Sequence, residues 1–165
     1  MWGSSHPVWA GVAVAILLVQ AQPPSRIPEF RARFAHEPDP IRRAKLMPQL
    51  GEAEFQDVQR DIATGEISNA LDTVKEYRNQ VQQCQKDLDA TGVDVEKHPS
   101  GFKELQISLR QSLRRLDEAL VSFPADEQKP FLDVRKDLER INRHLIRELF
   151  PRQPGAEEEP QKPKN

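Results

Sequence analysis

A row of basic residues near the carboxyl end of the chain recurs at helical spacing. Steps of 4, 3 and 4 residues separate Lys136, Arg140, Arg143 and Arg147. Because residues three or four apart share one face of a helix, these side chains form a basic stripe that can contact phosphate, an acidic glycan or lipid headgroups. Asp137 before Arg140 and Glu139 before Arg143 stand at ion-pair spacing, which favours instead a solvated face with its own counter-ions. Both interpretations of the stripe stay open.

Cys84 is the only thiol in the 165 residues. A single cysteine excludes an internal disulfide, a CxxC redox pair and a cysteine-rich zinc site. Cys84 falls on a row of apolar residues at helical spacing, which favours a small buried side chain. In an exported protein an odd cysteine is also a candidate for an intermolecular disulfide. The sequence therefore leaves two alternatives for Cys84, a core residue or an intermolecular thiol.

His144 and Glu148 are the best-placed pair of metal-ligand residue types, one helical turn apart. At that spacing an imidazole and a carboxylate can share a cation, but a zinc site requires at least a third protein ligand. The sequence offers no third ligand at a suitable spacing. We therefore predict an ordinary surface pair and no metal site.

The motifs of common enzyme classes are missing from the sequence. It contains no GxSxG, HExxH or GxGxxG, and its 7 glycines provide few tight turns around a substrate. Neighbouring carboxylates such as Glu52 and Glu54 lie in a stretch with helical periodicity, where a solvated face is expected. We predict a non-enzymatic protein with no catalytic residue, cofactor or metal.

The candidate residues described above are predicted to lie on helices, because apolar residues recur every three or four positions through most of the chain. Between Glu66 and Ala90 the steps alternate between 3 and 4, the pattern of a helix that packs against other helices. Thr64 is the expected cap of this helix, and Gly92 is its expected left-handed stop. The seam comprises Ile67, Ala70, Val74, Tyr77, Val81, Cys84 and Leu88.

Two more helices are predicted downstream of this one. Ser100 is the expected N-cap of a helix that Pro124 ends. Asp126 opens a further helix, which Pro151 stops. The apolar seams of these two helices comprise Phe102, Leu105, Leu109, Leu116, Ala119 and Phe123 in the first, and Phe131, Val134, Leu138, Ile141, Leu145 and Leu149 in the second.

Upstream, the helical pattern is interrupted. We predict a short helix near 39–47 and a second from about 49 to 63, either continuous through a kink at Pro48 or broken there. No window of the sequence shows the alternation of a strand. The predicted fold is therefore all-α, an up-down antiparallel bundle over residues 41–150 with three long helices and a shorter, proline-interrupted N-terminal helix.

The two ends of the chain differ in composition from this bundle. Residues 8–19 form an apolar run that is too short to span a bilayer and that precedes the small-residue pattern of a signal peptidase site. We predict a signal peptide over 1–21, with an uncleaved anchor or a cytoplasmic apolar N-terminus as alternatives. We also expect a proline-rich flexible leader over 22–40 and a disordered charged tail over 151–165.

Charge and composition narrow the class of partner. A net charge of −2 gives no global attraction to nucleic acid, and the single tyrosine offers no surface for stacking bases. Leu71, Leu113 and Leu120 flank the seams and are expected to serve a partner helix or a second copy of the chain. A membrane contact is expected only if the apolar N-terminal segment stays uncleaved.

The predicted function follows from these observations. We expect an exported, periplasmic or extracellular, non-enzymatic helical protein that acts through protein contacts as an adaptor, an assembly factor or a chaperone-like binder. The alternative is a sensor in the cell envelope that binds a small ligand, an anion or a metal. The first hypothesis predicts an exposed apolar strip, and the second predicts a retained ligand or ion.

Overall fold

Five α-helices make up the computed structural model over the residues that it describes, which are 26–121, 123 and 125–151. No strand and no helix capable of crossing a membrane occurs among these residues. The all-α prediction is confirmed, whereas the count of three long helices and one shorter helix is wrong, because four helices are long. The helices are α1 (Ile27–His36), α2 (Pro40–Ala63), α3 (Ile67–Asp89), α4 (Phe102–Leu120) and α5 (Ala125–Leu149).

Helix α1 corrects the prediction of a proline-rich flexible leader over 22–40 for the residues that it spans. Pro28 stands in the first turn of α1, where its missing N–H would have no partner within the helix in any case. Ile27 and Phe34, seven residues apart on one face, are buried against the rest of the protein. Burial of this apolar face stabilises α1. The proline-rich composition of the segment gives no indication of this burial. The predicted signal peptide over 1–21 lies outside the described residues, as do residues 152–165 of the predicted tail.

Helix α2 runs without a break through Pro48, so the continuous alternative for residues 39–63 is confirmed. Proline inside a helix removes one backbone hydrogen bond and costs about 3 kcal/mol. Met47 and Leu50, on either side of Pro48, have no exposed surface, and their burial offsets this cost. At the start of α2 the Asp39 carboxylate accepts a hydrogen bond from the Arg42 backbone N–H at 2.7 Å, with Pro40 in the first helical position.

The predicted seams of α3, α4 and α5 form the core. Helix α2 packs against α1, α3 and α4, and α5 packs against α3 and α4. Among the described residues Tyr77 is the largest fully buried side chain, and its hydroxyl hydrogen-bonds the hydroxyls of Ser108 at 3.1 Å and Ser112 at 2.8 Å. The seam residues with no exposed surface are Ala70, Val74, Tyr77, Val81, Cys84, Leu88, Leu105, Leu109, Leu116, Leu138 and Leu145.

The helix ends differ in part from the predictions. Gly101, with φ of +88°, takes the N-cap position of α4 that was predicted for Ser100, and its N–H donates to the Glu104 carboxylate at 2.6 Å. Thr64 does not cap α3, because its hydroxyl donates to the last carbonyls of α2. Gly92 adopts a φ of +64°, as expected of a left-handed stop after α3. Pro124 lies outside the described residues, and α5 begins at Ala125, one residue before the predicted Asp126.

Candidate functional site

The four residues of the basic stripe lie on the exposed side of α5. Lys136 contacts Asp133 at 3.5 Å, and Arg140 contacts Asp137 at 2.8 Å. The predicted pairing of Asp137 with Arg140 is therefore present. Asp137 also accepts a hydrogen bond from Arg78 of α3 at 3.2 Å, so this carboxylate connects the stripe to the neighbouring helix.

The predicted pairing of Glu139 with Arg143 is wrong. Glu139 binds Arg135 at 2.7 Å, and Arg135 also binds Asp117 of α4. Because Arg135 faces α4 and holds both carboxylates, Glu139 is drawn to that side of α5 and away from the stripe. Arg143 and Arg147 are exposed and have no ion pair with any residue that the structure describes. The carboxyl-terminal half of the stripe thus carries two positive charges without a partner of opposite sign there.

Cys84 has no exposed surface and lies in the core. Burial raises the pKa of its thiol to about 12, and the nearby charge of Asp87 adds to the shift. The thiolate is the reactive form of cysteine, so both burial and the raised pKa suppress reaction with a second chain. The structure therefore favours the core interpretation of Cys84.

We expect Cys84 to be inert in the folded protein. A thiol with a pKa of about 12 is ionised in roughly one molecule in ten thousand at pH 8. Treatment of the native chain with a thiol-specific chromophoric disulfide should leave Cys84 unlabelled, and addition of denaturant should release one equivalent of product. Rapid labelling of the native protein, or a dimer that reducing agent dissociates, would show that Cys84 is accessible.

His144 contacts a residue that the sequence did not suggest. Its Nε2 lies 3.2 and 3.3 Å from the two carboxylate oxygens of Asp89 on α3, whereas Glu148 is exposed and one turn further along α5. The pair therefore links α3 to α5. Among the described residues no three His, Cys, Asp or Glu side chains come together as a metal site would require.

The carboxylates of Glu52 and Glu54, both predicted on a solvated face, lie in opposite environments. Glu52 is partly exposed and binds Arg115, and this hydrogen bond holds its pKa below the usual value. Glu54 is fully buried, and burial raises the pKa of its carboxyl. The prediction is wrong for Glu54. Its spacing of four residues from both Leu50 and Val58 could have revealed that it lies on the buried face.

Glu54 is held by groups from two other helices. Its Oε1 accepts hydrogen bonds from Arg31 Nε of α1 at 2.7 Å and from Gln80 Nε2 of α3 at 3.2 Å. Its Oε2 has no hydrogen-bond partner, and neither has Oε1 of the buried Gln80. Buried polar atoms are nearly always paired in proteins, so these two acceptors mark an unusual position.

A cavity of about 490 Å³ opens beside this cluster, between α1, α2 and α3. We call it the α1–α3 cavity. Arg43 closes one end: its guanidinium donates to the Glu37 carbonyl at 2.7 and 2.8 Å, binds Asp87 of α3 and lies 5.8 Å from the centre of the Phe34 ring. The residues around the cavity are Arg31, Phe34, Ala35, Arg43, Glu76, Asn79, Gln80 and Gln83.

A second concave surface, the end groove, lies between α4, the carboxyl end of α5 and the segment between α3 and α4. It encloses about 430 Å³. Phe150 keeps 52% of its surface exposed there, which is unusual for a large aromatic side chain. Lys103 and Arg110, two turns apart on α4, have no ion pair with any described residue. The apolar lining consists of Val95, Pro99, Ile107, Leu149 and Phe150, and Glu96 and Gln106 complete the groove.

The apolar residues predicted to serve a partner are not the exposed ones. Leu120 is buried, and Leu71 and Leu113 are partly buried against the core. The prediction that these residues serve a partner is therefore corrected, because helices of the same bundle cover the flanks of the seams. Among the described residues the large apolar side chains with substantial exposure are Val121, Leu132 and Phe150.

Comparison with known proteins assigns no function to these sites. Neither the protein-family models nor the curated proteins nor the solved structures contain a match to this chain. Among the described residues, the two concave surfaces and the basic stripe are the features that bear on function.

Proposed function

We propose that this chain is an exported, non-enzymatic helical protein that acts through protein contacts, as an adaptor, an assembly factor or a chaperone-like binder. The end groove is the observation that carries the proposal. Exposed Phe150 and partly buried Ile107 and Leu149 give it an apolar floor, and such concave apolar surfaces with a polar rim are typical of protein-binding sites. The antiparallel up-down course of the helices belongs to the same proposal, supported by short connections and by the packing of α2 on α3 and of α4 on α5.

The charges at the rim of the groove indicate the chemistry of the partner. Lys103 and Arg110 present two positive charges at the edge of the apolar floor, against one negative charge from Glu96. An apolar segment that also carries carboxylates would bury its apolar side chains against Phe150 and place its acidic groups near these cations. We therefore assign to the groove a partner segment of mixed apolar and acidic character, supplied by another protein or by a second copy of this chain.

The substitution Phe150→Asp tests this proposal. It removes the exposed ring and adds a charge that repels an acidic partner, so recovery of the partner from a native extract should fall by about tenfold or more, in line with the loss of a central aromatic anchor. Val121→Asp is the matched control, because Val121 is 85% exposed and lies 14 residues from Ile107, about 21 Å along the helix direction. Equal recovery with both variants would count against the groove as a binding surface.

The unpaired half of the basic stripe supports a second candidate function, the binding of an anion in the cell envelope. Arg143 and Arg147 are exposed, and Glu139 is occupied elsewhere. Binding of the full chain to vesicles with anionic headgroups should weaken with added salt and with the double substitution Arg143→Gln and Arg147→Gln. Binding that is unaffected by both changes would exclude the stripe as the contact surface.

A further inference from the structure

The chain leaves its last helix at the edge of the end groove. The Phe150 N–H donates to the Ile146 carbonyl at 2.9 Å, so the hydrogen bonds of α5 fix the backbone of this groove residue. Pro151 follows it, has no backbone N–H and is exposed. The residues after Pro151 therefore start beside the groove.

Two cations of the groove have no counter-ion among the described residues. Lys103 and Arg110 are exposed and lie seven residues apart on α4, so they share one face and stand about 10 Å apart along the helix. The carboxylate of Glu104, next to Lys103 in sequence, accepts the hydrogen bond from the Gly101 N–H. With Glu96 as the acidic residue of the described lining, the groove carries two positive charges and one negative charge.

The sequence after Pro151 contains an acidic run that matches these two cations. Residues 157–159 are all glutamate, and the three basic residues of 152–165 lie outside this run. Three residues of extended chain span about 7 Å between the first and last Cα, and the length of the glutamate side chains adds to this reach. Pro154 and Pro160 flank the run and reduce the conformational freedom that binding would remove.

Attachment to the same chain brings this run to the groove at high effective concentration. Glu157 is the sixth residue after Pro151, which gives a flexible connection with a mean span of about 13 Å. Exposed ion pairs are individually weak, so the same carboxylates on a separate molecule would bind poorly. The short connection gives an effective concentration on the order of 1 mM, about twentyfold above that of a second copy at 50 µM.

The groove is a better site for the run than the basic stripe. Arg143 and Arg147 also lack a described counter-ion, but they lie on the open surface of α5. The groove is concave, and Ile107, Leu149 and Phe150 provide an apolar floor that keeps water from one side of a bound segment. Clefts with low-dielectric walls strengthen the field of the charges at their rim, whereas ion pairs on an open surface are screened.

We propose that residues 157–159 of this chain bind across Lys103 and Arg110 and cover the end groove in part of the molecules. A partner of the groove then competes with the chain's own acidic run. This competition rests on the proposed function, whereas the contact itself does not. With a dissociation constant close to the effective concentration, the run covers about half of the grooves and weakens the apparent affinity for the partner by about twofold.

Nuclear magnetic resonance of the purified, isotope-labelled full chain tests the contact in the absence of any partner. Substitution of all three glutamates of 157–159 by glutamine should shift the backbone amide signals of residues 103–110. Sodium chloride at about 0.5 M should remove this difference, because the Debye length then falls to roughly 4 Å. In the reverse direction, Lys103→Gln combined with Arg110→Gln should shift the amide signals of residues 157–159.

Two matched control variants accompany these measurements. Arg143→Gln combined with Arg147→Gln removes two exposed cations that are as close to Pro151 in sequence, and it should leave the signals of residues 157–159 unchanged. Lys162→Gln combined with Lys164→Gln changes the charge beyond the acidic run and should leave the signals of residues 103–110 unchanged.

The triple glutamine variant also distinguishes this inference from the proposed function. At a limiting amount of chain it should recover about twofold more partner from a native extract than the parent does. Unchanged recovery, with the shifts present, would contradict the competition. Loss of recovery with Phe150→Asp, without any shift from the triple variant, would support the proposed function and overturn the contact.

The contact is overturned by any of three results. The first is an absence of shifts at residues 103–110 in the triple glutamine variant. The second is a response of residues 157–159 to the Arg143 and Arg147 variant in place of the Lys103 and Arg110 variant. The third is a loss of the shifts on tenfold dilution of the chain, which would assign the groove to the acidic run of a second copy.

Discussion

Val81→Asp should abolish cooperative folding of this protein. Val81 has no exposed surface and lies on the seam of α3 among the apolar side chains of the core. An ionised carboxylate at this position has no counter-charge on the seam, and its burial costs several kcal/mol out of a total stability of about 5 to 15 kcal/mol for a typical domain. Thermal unfolding followed by far-ultraviolet circular dichroism should show a loss of the transition or a shift of more than about 15 °C.

Asn79→Asp is the control for this substitution. Asn79 is exposed on the same helix, and its Oδ1 accepts hydrogen bonds from Arg78, which an aspartate oxygen would retain. The control adds the same charge to α3 without burying it, so its melting temperature should stay within a few degrees of the parent. If Val81→Asp unfolds at the temperature of the parent, Val81 is not in the core and the helical phase described above is incorrect.

Arg31→Ala should destabilise the protein by about 3 kcal/mol at pH 7, near the lower end of the range for breaking a buried ion pair from one side. The side chain of Arg31 is 38% exposed, whereas that of Glu54 has no exposed surface. Removal of the arginine therefore leaves a buried carboxylate with one amide donor, and removal of the carboxylate leaves a cation that water can reach. Denaturant unfolding at equilibrium measures the difference in the free energy of unfolding.

This loss should depend on pH in a defined direction. Burial raises the pKa of Glu54, so its contribution to stability is fully present below the pKa of the unfolded chain and is lost as the pH rises through the pKa of the folded state. Without Arg31 this pKa rises further, because the guanidinium lowers it in the parent. The deficit of Arg31→Ala should therefore shrink as the pH falls from 7 towards the usual pKa of a glutamate, about 4.3.

A double substitution separates this electrostatic cost from the loss of packing. Glu54→Gln alone should cost less than Arg31→Ala, and the double variant with both changes should be more stable than Arg31→Ala, because no buried charge remains. A double variant as unstable as Arg31→Ala at every pH would mean that Arg31 acts through its packing on α2 and that the ion pair contributes little.

The periodic parts of the fold could be predicted from sequence because burial there repeats every three or four residues. The seams of α3, α4 and α5 are of this kind, and their residues are buried as expected, except Ile67, Ala119 and Leu149, which are partly buried. The five prolines between residues 22 and 40 predict an irregular segment and hide helix α1, although Pro28, the proline within α1, stands in the first turn, where proline costs least. The position of Pro48 in the sequence does not show whether α2 continues or breaks there, since the packing of Met47 and Leu50 decides this.

The candidate sites were harder to predict, because they depend on contacts between helices. The spacing of Glu54 from Leu50 and Val58 places it on the buried face of α2. Its binding partners Arg31 and Gln80 are 23 and 26 residues away in sequence, so no local pattern indicates them. The end groove arises where α4, α5 and the segment before α4 meet, and no local pattern marks Phe150 as exposed. Glu139 has the spacing for Arg143, yet it binds Arg135, which also reaches across to Asp117 of α4.

Site-specific photocrosslinking tests the role of the end groove most directly. A benzophenone-bearing phenylalanine analogue at position 150 keeps the aromatic character of Phe150 in the groove. The same analogue at position 121 probes a more exposed surface at the carboxyl end of α4. Irradiation of cells that produce the full chain should give a discrete protein adduct from position 150 and none from position 121. No adduct from position 150, or the same adducts from both positions, would contradict the proposal that this protein acts through its end groove.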